Sequence, residues 1–164
     1  MQLQDVVTKR TEPVRVAEAV GTAPGVGTET ISPIFRTLFQ EVLAHLKRGG
    51  ASPGISIGHY ERRADDGSIK LHVGFDLGAQ ELADSARVHV VELPVVEVAS
   101  VIHQGTMEGI AGAFDALMHW TEQRGYQLAG PSRELYHEWH DEDPTRHVTE
   151  LQLVLTPSAA QAAR

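Results

Sequence analysis

Hydrophobic positions recur with a helical period in two places. Phe35, Leu38, Phe39, Val42, Leu43 and Leu46 fall at i, i+3, i+4, i+7, i+8 and i+11, the stripe of an amphipathic helix. Ser32-Pro33 offers an N-cap and a first-turn proline, and Lys47-Arg48-Gly49-Gly50 offers a basic, glycine-closed end. Ile110, Ala113, Phe114, Leu117, Met118 and Thr121 repeat the same spacing 75 positions further on, and Gly125 follows Gly50 by the same interval.

Between and around these helices the pattern shortens to that of strands. Asp5 to Val20 reads as a strand region interrupted at Glu12-Pro13. The glycine-rich stretch after it reads as a loop. Its Gly25-Val26-Gly27 lacks the lysine or third glycine of a phosphate cradle. Ile55 to Arg62 and Ile69 to Leu77 read as a hairpin turning at Asp65-Asp66-Gly67. Val88 to Ile102, broken by Pro94, reads as strand again. Gly130-Pro131 then predicts a turn before two last strands, Leu135 to Trp139 and His147 to Leu155.

The order β-α-β-β therefore occurs twice. The expectation is an α+β fold of tandem duplicated units with pseudo-twofold symmetry. One helix covers only one face of three strands, so two such units joining leave a central ligand cleft.

Composition narrows the class. The chain has 164 residues, 41% of them hydrophobic, enough for one domain with its own core. A net charge of −8 with scattered basic residues predicts no direct nucleic-acid binding. With no cysteine, disulfides, thiolate metal sites and cysteine nucleophiles are excluded. No signal-like or membrane-spanning apolar run occurs, and a cytoplasmic protein without membrane contact is expected. Only a few residues precede the first strand, so no helix-turn-helix is expected ahead of it, and a place as the effector part of a longer protein stays open.

Candidate chemistry concentrates in Tyr136 to Leu155. Alternation places Val148, Glu150, Gln152 and Val154 on one strand face and Thr149, Leu151, Leu153 and Leu155 on the other. Glu150 is either a solvated charge or a carboxylate held in a cleft. If buried, its pKa rises unless hydrogen-bond donors or a cationic ligand compensate. Tyr60, Tyr136 and Trp139 offer faces to a planar or cationic ligand. His137, His140 and His147 match no strong zinc spacing, so no metal and no cofactor is expected. A serine hydrolase finds no GxSxG to support it.

Pro94, Val98-Ala99, His103-x-Gly105, a helix closing near Trp120, Gly125, Gly130-Pro131, Tyr136 and Glu150 follow in an order that resembles the GyrI-like (gyrase-inhibitor-like) effector-binding domain. That domain is similar to the ligand-binding parts of MerR-type and AraC-type multidrug regulators. The resemblance covers nearly the whole chain. It implies a single domain over 1–157, with repeats at about 5–79 and 88–157; the short, alanine-rich tail at 158–164 is expected to be frayed. It also implies an aromatic-lined cavity where an acid on the last strand meets cationic, hydrophobic drugs. Glu150 matches that acid and Tyr136 the aromatic before it. Tyr60 is the counterpart of Tyr136 in the first half, and Gly74 stands where a second acid would be. Thr106-Met107-Glu108 departs from the family, many of whose members carry a small residue or proline and then an aromatic.

The function expected is a stand-alone binder of hydrophobic, aromatic or cationic drugs and toxins, acting in sensing or sequestration. One alternative is a hydrolase that opens cyclopropane-type or other electrophilic DNA-alkylating natural products, with Glu150 as acid or base and Tyr136 or Trp139 holding the ligand. A second is a protein-interaction module such as a gyrase inhibitor.

Overall fold

The computed structural model describes residues 5–25, 28–62 and 65–157. The GxG segment beyond Gly25 and the tail at 158–164 lie outside them. The described residues form eight antiparallel strands and two α-helices in a mixed α/β fold, divided into two compact units, one within 13–94 and the other of 5–12 with 95–157. Among the described residues, no helix is long and apolar enough to cross a membrane.

The 13–94 unit contains β2 (Val14–Ala23), α1 (Thr28–Arg48), β3 (Ser56–Arg62), β4 (Ile69–Asp76) and β5 (His89–Leu93), with strand order β3-β4-β2-β5. Alternation sends Ala17, Ala19, Leu71, Val73 and Phe75 to the side covered by α1, where Leu38, Val42 and Leu46 meet them. The alanines let the helix come close. Phe39 packs on Phe75 with ring centroids 5.0 Å apart. Contrary to the predicted start at Ser32-Pro33, α1 begins at Thr28 and takes Pro33 inside it. A proline this near the start removes one helical hydrogen bond, while Glu29 in the first turn favours the positive helix end.

The other unit contains β1 (Val7–Arg10), β6 (Glu97–Gln104), α2 (Ile110–Gln123), β7 (Leu128–Glu138) and β8 (Val148–Leu155), with strand order β1-β6-β8-β7. Ala99, Val101, Leu151, Leu153 and Leu155 pack with Ala113, Leu117 and Trp120 of α2. Met118, expected on this apolar stripe, is 40% exposed because the buried stripe centres on Leu117 and Thr121. Arg124 lies over the Trp120 ring, 4.2 Å from its centroid.

Strand pairing draws different boundaries from the expected repeats. β1 pairs with β6, so the first strand joins the later unit. β5 pairs with β2, so the apolar run from Val88 to Ile102 divides between the two units near Pro94. Each unit therefore has a fourth strand added to β-α-β-β. Gly130-Pro131, predicted as a turn before the strand, lies inside β7. There the register slips between Leu128 and Ser132, and Gly130 takes a φ of 114°. Glycine reaches that conformation without strain, and the missing proline N–H falls at the bulge.

Candidate functional site

β8 is paired on both sides and buried on both faces, so every polar group on it needs a partner. On the face away from α2, the Glu150 side chain is met from four directions. Lys9 Nζ lies 2.7 Å from Oε2, Ser100 Oγ donates to Oε2 at 2.8 Å, and Gln152 Nε2 donates to it at 2.6 Å. His137 Nε2 reaches Oε1 at 2.9 Å. Burial raises the pKa of Glu150, but the bonds from Lys9, Gln152, His137 and Ser100 outweigh it and hold the carboxyl at about 2. Glu150 is thus a fully partnered carboxylate tying together β1, β6, β7 and β8.

The face toward α2 carries a second set. Tyr136 pairs with Thr149 and Glu134 with Leu151, a residue of the α2-facing core. Glu134 is buried, and the Tyr136 hydroxyl donates a hydrogen bond to its carboxylate. The Tyr136 ring meets Trp139 edge-on, with centroids 5.8 Å apart. Trp139 stacks on buried His147 at 3.8 Å and donates from Nε1 to Asp141 at 2.9 Å. Half of Trp139 remains open to solvent.

Four residues predicted for ligand contact thus fall in three places. Tyr136 and Trp139 come together. Glu150 lies on the opposite face from Tyr136, since it pairs with Leu135, the neighbour of Tyr136. Tyr60 belongs to the 13–94 unit and packs against its α1 core. The three histidines expected not to form a metal site hold different partners. His137 reaches Glu150, while the backbone N–H of His140 donates to Nδ1 of His147.

Glu134 was not singled out in the sequence, although its place two residues before Tyr136 on a strand put both on one face. Lys9, Ser100 and Gln152 were missed as partners of Glu150. Gln152 was accessible by the same alternation, whereas Lys9 and Ser100 come from remote segments.

The described residues thus form a mixed α/β domain of antiparallel strands and two helices. The chain belongs to the GyrI-like small molecule binding domain family, whose model matches residues 21–155. Among similar solved structures is SAV2435 bound to tetraphenylphosphonium, at 18% identity and TM-score 0.69, covering 92% of this chain and 93% of that one. The C-terminal domain of EcmrR is 16% identical with TM-score 0.74, covering 92% and 96%. A hydrolase from Listeria innocua encoded by lin2189 is 13% identical with TM-score 0.57, covering 93% and 92%. Among curated proteins, no relative matches the chain.

Proposed function

We propose that this chain binds hydrophobic aromatic cations and serves in sensing or sequestering such drugs or toxins, with Glu134, Tyr136 and Trp139 making the contacts. The observation that carries the reading is the buried Glu134 carboxylate, hydrogen-bonded to Tyr136 beside the half-open Trp139 ring. A buried acid attracts a cation more strongly than a solvated one, and aromatic faces add cation–π attraction. The tetraphenylphosphonium complex of SAV2435 supplies the probe. The same order, β-α-β-β plus a fourth strand, in both units supports a tandem duplication. In that duplication Tyr60 is the counterpart of Tyr136.

Glu150 has a different role in this proposal. Its four partners already satisfy it, and a carboxyl with a pKa of about 2 is a poor general acid and a weak general base at neutral pH. It organises the strands rather than meeting the ligand.

The test is calorimetric titration of the wild-type chain, Glu134→Gln and Glu150→Gln with tetraphenylphosphonium. Glu134→Gln is expected to weaken binding about tenfold, a loss of about 1.4 kcal/mol, with Glu150→Gln close to wild type in affinity. A tenfold loss in Glu150→Gln with none in Glu134→Gln would transfer the ligand-contact role to Glu150. Failure of the wild type to bind tetraphenylphosphonium or any other aromatic cation would overturn the proposal. Mass spectrometry of an electrophilic natural product after incubation tests turnover: a product heavier by one water would make the chain a hydrolase.

A further inference from the structure

On the face of the 13–94 unit away from α1, β3 and β4 bring two histidines together. His59 pairs directly with His72, and Glu61 follows His59 by two residues and so shares its face. One ligand atom from each of His59, Glu61 and His72 lies within 4.8 Å of the others. Glu61 is 3.6 Å from His59 Nε2 through Oε1 and 3.9 Å from His72 Nε2 through Oε2. The two imidazole rings stack with centroids 4.9 Å apart.

A stacked histidine pair beside a glutamate also serves as ordinary strand packing. His72 distinguishes the two cases. Its Nδ1 lies 3.0 Å from Oε1 of the buried Glu18, and because a carboxylate only accepts, Nδ1 carries the hydrogen. In the neutral ring Nε2 then presents a lone pair. That atom is buried and, among the described residues, has no hydrogen-bond partner. Carboxylate to imidazole N–H, with the other ring nitrogen left as a lone pair toward a second histidine and a second carboxylate, is the arrangement that orients metal-binding histidines.

We propose that His59, His72 and Glu61 bind one divalent zinc ion, with Glu18 as the positioning residue behind His72. Two imidazole nitrogens and one carboxylate oxygen form a three-ligand set that leaves a fourth position for water or a ligand. Bonds of about 2.0–2.1 Å require these donor atoms to close to separations of about 3.3 Å, which small side-chain rotations accomplish. Glu61 is 40% exposed in its side chain and leaves the ion an entry path. Imidazole and carboxylate together suit zinc better than magnesium or calcium, which take oxygen ligands.

The test uses tag-free protein freed of metal with a chelator, because the chain has nine histidines and weak adventitious binding is expected. Zinc titration against a chromophoric chelator should show one ion per chain with a Kd in the micromolar range or tighter. Cobalt should give the visible bands of a four- or five-coordinate site. In wild-type protein, zinc should shift the imidazole NMR signals of His59 and His72 and leave those of His140 and His147 in place. His59→Gln and His72→Gln should each weaken binding at least tenfold. Glu18→Gln should weaken it about 10-fold to 100-fold through the orientation of His72 alone, with circular dichroism confirming the fold. Absence of one-to-one binding in the wild type overturns the proposal. So does zinc that shifts only other histidines, or binding unchanged in both histidine variants. None of these readings depends on tetraphenylphosphonium, so the two proposals stand or fall separately.

Discussion

The Tyr136 hydroxyl donates a hydrogen bond to the Glu134 carboxylate, two positions back on the same face of β7. Both side chains face toward α2, on the other side of the strands from Glu150. Tyr136→Phe removes one donor from a buried acid and leaves the aromatic ring. A carboxylate short of one donor has more need of a cation, which offsets the lost packing order. Affinity for tetraphenylphosphonium should therefore change less than threefold in Tyr136→Phe, against about tenfold in Glu134→Gln, by titration calorimetry. Thermal stability should fall by about 1 kcal/mol, the worth of a typical hydrogen bond.

Glu150 links four strands, so its loss should be read in stability. Glu150→Gln should cost about 1–3 kcal/mol in denaturant unfolding at pH 7, because Lys9 and His137 lose their charged acceptor. The pH dependence has a definite sign. Its folded-state pKa of about 2 lies below the ordinary 4.5, so the stabilisation is fully present above about pH 4.5 and is lost as pH falls toward 2. Lys9 is 44% exposed, and solvent screening reduces the pH-linked part to the order of 2 kcal/mol. The difference in stability between wild type and Glu150→Gln should shrink across that window. A constant difference from pH 7 to pH 2 would contradict the assignment.

Trp139 allows an optical test of the proposed ligand contact. It is 52% exposed and stacked on His147, whereas Trp120 is buried against Tyr126 and Arg124. Tetraphenylphosphonium should change tryptophan emission in the wild type and in Trp120→Phe, but not in Trp139→Phe. Affinity in Trp139→Phe should fall about threefold, consistent with the lower end of an exposed cation–π contact. An emission change that follows Trp120 instead would exclude Trp139 from the site.

Gly74 is where a repeat partner of Glu150 was expected. A Cβ there would come within 2.9 Å of the Ala17 carbonyl oxygen and 3.2 Å of Glu18 Cβ. Glu18 on β2 is its directly paired neighbour and already supplies a buried acid to this unit. Gly74→Ala should destabilise by about 1–3 kcal/mol in denaturant unfolding, because the neighbouring backbone has to move. Gly25→Ala, whose Cβ would meet nothing within 4 Å among the described residues, is the control and should change stability by less than about 0.5 kcal/mol.

Helical and strand periods by themselves determined both helices, the hairpin strands β3 and β4, and the alternation that sends Leu151, Leu153 and Leu155 to α2. Those signals are local: burial of one face imposes a period, and the period is written in consecutive residues. The order of motifs also carried the family. Tertiary structure decided which remote strands pair. Lys9 meets Glu150 only because β1 adds to β6, and β5 joins β2 although it follows β4 by a long polar connection. It also separated Glu150 from Tyr136, because strand register assigns adjacent residues to opposite faces. His59 and His72 lie 13 positions apart in sequence, with no spacing that suggests a ligand pair. The turn at Asp65-Asp66-Gly67 and the β3–β4 register set them side by side. Pairing between strands is a long-range choice made by the whole core, so it decides which polar groups share a site.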